Sequence, residues 1–413
     1  MSSTPVDGSP HLSKTQTPQA DRLPVAALLA LAMTGFICIV TETLPAGLLP
    51  QVGAGLGVSQ AAAGQMVTAY ALGSLLAAIP LTVATQRWRR RSVLLLTIAG
   101  FLVFNSITAV SSSFALTLAA RFFAGAAAGL AWSLLGSYAR RMVRPEQQGR
   151  AMALAMIGTP LALSLGVPLG TLLGSAVGWR TAFGLMSALT LLLIVWVIAK
   201  VPDYPGQVGT QRLPLGRVLV TPGVRPVSAV VIAWMLAHNI LYTYIAPFVS
   251  SAGIGHRVDL VLLVFGVSAL AGIAISSRLV DRHLRAAVLG SLLAFVMVAV
   301  GFVGLSDAPV VIYGGVAVWG LSFGGAATLL QTALADAAGD GADVALSMNV
   351  VAWNSAIAGG GLLGGWLLKS WGAHSFGWAL IALLAIGLCV AWSARRHGFP
   401  STPRALVSPR TPT

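Results

Sequence analysis

A run of about 20 apolar residues is enough to cross the hydrocarbon core of a bilayer, and this sequence contains twelve such runs. They fall at residues 24–49, 60–85, 93–110, 114–139, 151–177, 181–199, 226–250, 258–277, 286–305, 309–332, 345–368 and 376–394. Few chains carrying that pattern can be anything but a polytopic α-helical membrane protein. The backbone of a spanning segment has to satisfy its own hydrogen bonds, and a helix does so within one segment. Composition agrees, because 56% of the 413 residues are hydrophobic and only 9% charged, against about a quarter charged in a soluble domain. The 46 glycines fit the close helix packing that lipid favours. The first run is longer than a signal-peptide core and no cleavage site follows it, so it is expected to be retained.

The connecting segments set the orientation. The net charge of +14 would suggest nucleic acid if it were diffuse, but it is segregated. One side holds Arg87, Arg89, Arg90, Arg91, Arg140, Arg141, Arg144, Arg150, Lys200, Arg212, Arg217, Arg225, Arg278, Arg282 and Arg285, with Lys14, Arg22, Arg395, Arg396, Arg404 and Arg410 in the tails. That is 21 of the 25 basic residues. The other side has Arg180, Arg257 and Lys369, and Arg121 lies within a span. By the positive-inside rule the first side faces the cytoplasm, with both termini there. The expected organisation is a disordered tail at 1–22, a six-helix bundle at 23–199, a cytoplasmic loop at 200–225, a second six-helix bundle at 226–394 and a cytoplasmic tail at 395–413.

The two bundles repeat one another. At a constant offset of 195 residues Arg87 falls on Arg282, Arg90 on Arg285, Gly125 on Gly320, Gly129 on Gly324, Gly166 on Gly361 and Gly170 on Gly365. Glycine is abundant, so each match is weak alone, and six matches in one register carry the argument.

Charge inside a span is costly and marks function or a partner. Glu42 is the one acidic residue well inside a span, and Arg121 sits at similar depth in the fourth. The expectation is a charge pair whose protonation is coupled to transport; the alternative is a fixed, buried ion pair. Trp234, His238 and Tyr242 recur every four residues along one helix face, with Asn239 beside them, and the tenth span offers Trp319 and Phe323. Rings with polar tips suit stacking against sugars or flat drugs, and packing or lipid contact is the other reading. His238 is a second proton-carrier candidate. Gln65 and Asn105 are further polar residues within spans. Gly125 and Gly129, Gly166 and Gly170, and Gly361 and Gly365 place small residues at steps of four, where a neighbouring helix can approach closely, and Pro168 between the second pair loosens its helix.

These residues carry a family resemblance over roughly residues 23–396. Thr41-Glu42-Thr43-Leu44-Pro45-Ala46-Gly47-Leu48-Leu49-Pro50 resembles the T-E-x-x-P-x-G-L-L-P opening of the sugar-efflux, or arabinose-efflux permease, branch of drug:proton antiporters in the major facilitator superfamily. Arg121 through Gly129 resembles R-x-x-x-G-x-x-x-G, and Gly166-Val167-Pro168-Leu169-Gly170 the exporter motif G-x-P-x-G. The loop with Arg87, Arg90 and Arg91 is similar to G-x-x-x-D-R-x-G-R-R, with Thr82, Gln86 and Arg89 departing from it. The second copy, with Asp281, Arg282 and Arg285, keeps its acid. The resemblance implies two pseudo-equivalent six-helix halves, alternating access around a cavity lined by the first, fourth, seventh and tenth spans, and a gating role for both loops. It also implies proton-coupled export by a monomer in the bacterial inner membrane.

No G-x-x-x-x-G-K-[ST] loop is present for ATP, and no nucleophile–base set or metal-ligand spacing for an enzyme. Cys38 and Cys389 lie in apolar runs and form no metal or disulfide framework. No cofactor, metal or nucleic acid is expected. The expected partners are a small-molecule solute (sugars first, chloramphenicol-like drugs second), protons and lipid. An uncoupled facilitator, a channel or a scaffold fits the buried charges and the duplication less well.

Overall fold

The computed structural model describes residues 23–206, 215–305 and 308–400, and every regular element among them is helical. The tails at 1–22 and 401–413 and the loop segment 207–214 lie outside the described residues. The spans are α1 (Val25–Gly47), α2 (Gln60–Thr85), α3 (Arg90–Val110), α4 (Phe114–Arg141), α5 (pieces between Gln148 and Val177) and α6 (Trp179–Lys200). They continue as α7 (Val224–Thr243), α8 and α9 within Val258–Leu305, α10 (Pro309–Gly324, resuming as Ala326–Ala338), α11 (Ala342–Trp371) and α12 (Ser375–Ser393).

The loop expected between the eighth and ninth runs is absent. Helix continues from both sides to His283, whose φ of −133° and ψ of 32° make the one non-helical joint. Among the described residues the twelve runs therefore form eleven continuous stretches long and apolar enough to span, the eighth and ninth being merged across this joint. Other spans are broken as well. Pro168 offers no N–H to the turn before it and crowds that turn's carbonyl, and the chain absorbs this in a π-helical turn at Ala162–Gly166. α7 stops at Thr243 and resumes as Ile245–Ser251 after the non-helical Tyr244. α1 stops at Gly47 and a short helix, Leu49–Leu56, follows.

The glycine steps are packing seams. Gly129 of α4 meets Ser74 of α2, where an added Cβ would lie 2.6 Å from the Ser74 carbonyl, and Gly125 meets Tyr70. In the second copy Gly320 meets Phe265 and Gly324 meets Ala269. Those partners obey the same offset, Tyr70 falling on Phe265 and Ser74 on Ala269. On α5, an added Cβ at Gly166, Gly170 or Gly174 would lie 2.7, 2.8 and 2.6 Å from Phe36, Leu44 and Leu48, so α5 lies along α1. Pro168 is buried on the same element.

The halves meet along two seams, α2 with α11 and α5 with α8. Gly361 of α11 packs on Thr68 of α2, and Gly266 of α8 on Ser164 of α5. The hydrogen bonds joining the halves among the described residues lie near the start of α2, at the end away from the arginine-rich loops.

Candidate functional site

The first part of the site is the junction of α1 and α4. Pro45 lies inside α1, and a proline has no N–H to return to the carbonyl four residues earlier. That carbonyl belongs to Thr41, and Arg121 takes it: Nη2 donates to the Thr41 oxygen at 2.5 Å and to the Glu42 carbonyl at 3.5 Å. Arg121 is fully buried. Its guanidinium lies 4.8 Å from the centre of the Tyr70 ring and 5.6 Å from that of Phe183. Its Nε and Nη1 have no partner.

The charge pair expected from the sequence is not what the structure holds. Glu42 and Arg121 are brought to one level, within electrostatic range of each other. Arg121 nevertheless bonds backbone oxygens, and no ion pair joins it to the carboxylate. The reason is local, since the proline-freed carbonyl is nearer and otherwise unmet. Asn105 donates through Nδ2 to Thr41 Oγ1 at 3.0 Å, and the Tyr70 hydroxyl to the Cys38 carbonyl at 2.9 Å. Three helices thus converge on one turn of α1.

The second part is a cluster of rings in the other half. His238 stacks on Phe323 with centroids 3.5 Å apart and planes 2° from parallel. Tyr242, Trp319 and Phe265 surround it at 5.2, 5.3 and 5.7 Å. Helical spacing alone finds four of these five; Phe265, on α8, is visible only as the repeat partner of Tyr70. Trp234 is buried one turn away and makes none of these ring contacts. Asn239 is not in the cluster. Its Nδ2 donates to the Met235 carbonyl at 2.8 Å and its Cβ faces Gly360 of α11, because one step along a helix turns a side chain through about 100°. Trp234 Nε1, Trp319 Nε1 and His238 Nδ1 are buried without hydrogen-bond partners. The Tyr242 hydroxyl faces Thr43 and Glu42 across the boundary between the halves without a well-formed hydrogen bond. It links the two parts of the site.

A latch closes the end away from the arginines. Tyr244, at the break in α7, fits its ring between Gly64 of α2 and Gly364 and Gly365 of α11. Its hydroxyl donates to the Gly361 carbonyl at 2.8 Å and the Ala61 carbonyl at 3.2 Å, and accepts from Gln65 Nε2 at 3.1 Å. Gln65 also donates to the Gly361 carbonyl at 3.2 Å.

At the arginine-rich end each half carries a strap. Arg89 pairs with Asp203, and the Arg91 N–H donates to Asp203 at 3.1 Å. The Arg90 N–H donates to the Tyr204 carbonyl at 2.8 Å, and the Tyr138 hydroxyl to the Pro202 carbonyl at 2.7 Å. Arg87 contributes backbone against Gly206. In the other half Arg285 donates to the carbonyls of Ala391, Trp392 and Phe399 at 3.0, 2.9 and 3.0 Å. Phe399 is fully buried, so the first residues of the expected 395–413 tail belong to the fold. Tyr204 falls on Phe399 at the repeat offset, and Gln86, which stands where the second copy has Asp281, does not supply the acid that Asp203 supplies instead. Asp281, Arg282 and Arg285 line a cavity of about 350 Å³ with Asp336 and His397.

The fold and these motifs have known counterparts. The family model described as Major Facilitator Superfamily matches residues 31–360. The chain is 30% identical over 319 residues to the purine ribonucleoside efflux pump NepI of Escherichia coli strain K12, covering 76% of this chain and 81% of the relative. The same identity and coverage hold for the NepI pump of Escherichia coli O157:H7. Among solved structures, a bacterial homologue of the human lysosomal transporter Spinster, inward-facing and unoccupied, has a TM-score of 0.67 at 13% identity and covers 93% of this chain and 99% of its own. The human organic anion transporter MFSD10 (TETRAN) has a TM-score of 0.66 at 18% identity, covering 91% and 100%. These two carry the fold; the family match and the efflux-pump relatives carry the kinship. The chain is a membrane transporter, not an enzyme, and it belongs to the Major Facilitator Superfamily.

Proposed function

We propose that this transporter exports small, uncharged, ring-bearing solutes in exchange for protons, with Glu42 as the proton-carrying group. The observation that carries the reading is the position of Glu42. Its carboxyl is buried in a membrane-spanning helix, without an ion pair, between Arg121 of its own half and Tyr242 of the other. An acid kept at such a site is expected to exchange a proton as the halves move. In this reading the ring cluster around His238 is the solute-facing surface, and the unpaired indole N–H of Trp319 suits a solute rich in acceptors. A sugar attached to a flat base satisfies both features, and the exported solute named for the NepI relatives is of that kind. Sugars alone, the first expectation from sequence, offer hydrogen bonding and an aliphatic face but no flat ring parallel to the His238–Phe323 stack.

Orientation follows from charge: the arginine-rich end faces the cytoplasm of a bacterial inner membrane, with both termini on that side. On that orientation the Tyr244 latch closes the periplasmic end. The test is transport in proteoliposomes under an imposed pH gradient. Inosine, arabinose and chloramphenicol are offered to wild type and Glu42→Gln. Gradient-driven flux of inosine, lost in Glu42→Gln with exchange in the absence of a gradient retained, supports the reading. Full gradient-driven flux in Glu42→Gln ends it.

A further inference from the structure

We infer that Arg121 is a positioning residue with two alternative partners, the Thr41 carbonyl that Pro45 frees and the Glu42 carboxylate, and that its exchange between them moves the tip of α1. This rests on the reading of Glu42 as the proton site and adds the element that senses it.

Both acceptors lie within one turn of α1. Thr41 offers a neutral carbonyl that lost its helical donor to Pro45 and that Arg121 occupies at 2.5 Å. Glu42 offers a carboxyl that is a strong partner for a guanidinium only when ionised, because charge-assisted hydrogen bonds are about twice as strong as neutral ones. Arg121 is equipped for both, since Nε and Nη1 are fully buried and unpaired while Nη2 is engaged. Leaving such donors unmet in a dry interior is unfavourable, and the carboxylate is their only anionic neighbour among the groups that face this turn. Those groups are Cys38 on α1 itself, the hydroxyl of Tyr70 on α2 and the hydroxyl of Tyr242 on α7; Phe183 on α6 adds a ring face.

The exchange has a mechanical consequence. The carbonyl grip is what ties α1 to α4 at the level of Pro45. Beyond Pro45 the chain breaks at Leu48 into the short helix Leu49–Leu56, which touches the extension of α7 at Ile245–Ser251. Tyr244, whose hydroxyl makes the latch, immediately precedes that extension. With Glu42 protonated, Arg121 holds the carbonyl and the tip stays seated. With Glu42 ionised, Arg121 moves to the carboxylate, the carbonyl is released and the tip is free to swing, which favours opening beside the latch.

The experiment uses the full-length protein with Cys38→Ala and Cys389→Ala, and a reporter cysteine at Thr68, buried opposite Gly361. An impermeant maleimide is applied at the Tyr244 end in mildly acid and mildly alkaline buffer. Rates are divided by those of a reporter at the exposed Val110, which removes the pH dependence of the reagent. In the parent, labelling at Thr68→Cys is expected to rise about fivefold or more with pH, the lower end of an ordinary coupling free energy. Glu42→Gln gives a flat, low rate. Pro45→Ala restores an N–H to the Thr41 carbonyl, displaces Arg121 onto the carboxylate and gives a flat, high rate, the opposite plateau. A general loosening of the bundle would raise labelling without removing its pH dependence. Should Pro45→Ala not fold, Pro45→Gly restores the same N–H and takes its place. If Glu42→Gln flattens the response but the proline variant keeps the parent's rise, the partner exchange is wrong and Glu42 survives as the proton site. If Glu42→Gln keeps the rise, the proton site is wrong and the exchange with it. A parent without pH dependence also overturns the exchange.

Discussion

At the scale of single residues, the molecule depends on atoms that are missing. Proline removes a donor at Pro45 and glycine removes a side chain at each packing seam. The seam at Gly129 gives the sharpest prediction. A leucine there has to displace Ser74 backbone on α2, where even a Cβ would lie 2.6 Å from the carbonyl. Overpacking of a well-filled interior costs about 1–3 kcal/mol, so Gly129→Leu is expected to melt several degrees below wild type in detergent. Gly184→Leu, whose added Cβ would meet nothing within 4 Å, is expected to leave the melting temperature unchanged. A thermal unfolding series with both variants checks the contrast. At this scale the sequence was informative about identity and less so about partners. Glu42 and Arg121 stand out as charges within spans, yet their failure to pair depends on Thr41 losing its helical donor. A list of charged residues does not contain that fact, although Pro45, four residues on, is its written sign.

At the scale of elements, ends and joints matter more than spans. The straps show it best, and they were hidden because they lie in segments that read as loop and tail. Burial raises the Asp203 carboxyl, but the Arg89 hydrogen bond and the Arg91 N–H outweigh it and hold the group below the ordinary carboxylate range. A depressed folded value means that attachment is fully present above the ordinary carboxylate value and is lost as pH falls through the depressed one. Limited proteolysis of the central loop is therefore expected to speed up in acid, and Asp203→Asn to show the acid rate at neutral pH. A gel time course reads both. The span pattern was legible because twenty apolar residues in lipid have few alternatives. The break at Tyr244, the joint at His283 and the π turn before Pro168 were not, since each is decided by a neighbour distant in sequence or by a compromise between local strain and packing. Asn239 illustrates the same limit: adjacency in sequence suggested adjacency in the ring cluster, and helical rotation put it against α11 instead.

For the whole molecule, the two halves are held at one end by a few polar contacts around one ring. Tyr244→Phe keeps the ring in its glycine slot and removes the hydrogen bonds to Gly361, Ala61 and Gln65. A net intramolecular hydrogen bond is worth about 0.5–1.5 kcal/mol. The variant is thus expected to shift the population towards opening at that end several-fold, with stability of the separate bundles little changed. Distances between spin labels on the tips of α1 and α7 measure the shift; an unchanged distribution would mean that packing along α2 and α11 holds the latch without the hydroxyl. The duplication is legible at this scale from six matched positions, and it extends from residues to the contacts they make. Matched contacts, Tyr70 with Gly125 and Phe265 with Gly320, follow the same offset as the matched residues.

The strap on the first half also sets a length. It binds the chain as far as Gly206, and the chain is helical again from Leu215, in a turn whose Val218 packs on Gly341 at the start of α11. Nine peptide steps separate those anchors, a leash of at most about 30–32 Å when drawn straight. While both anchors hold, the mouth between the halves at the arginine-rich end has a fixed widest gape. A cargo or motion that needed more would first have to free one of the two anchors, the Asp203 strap or the Val218 turn, so a surface ion pair takes part in limiting the stroke.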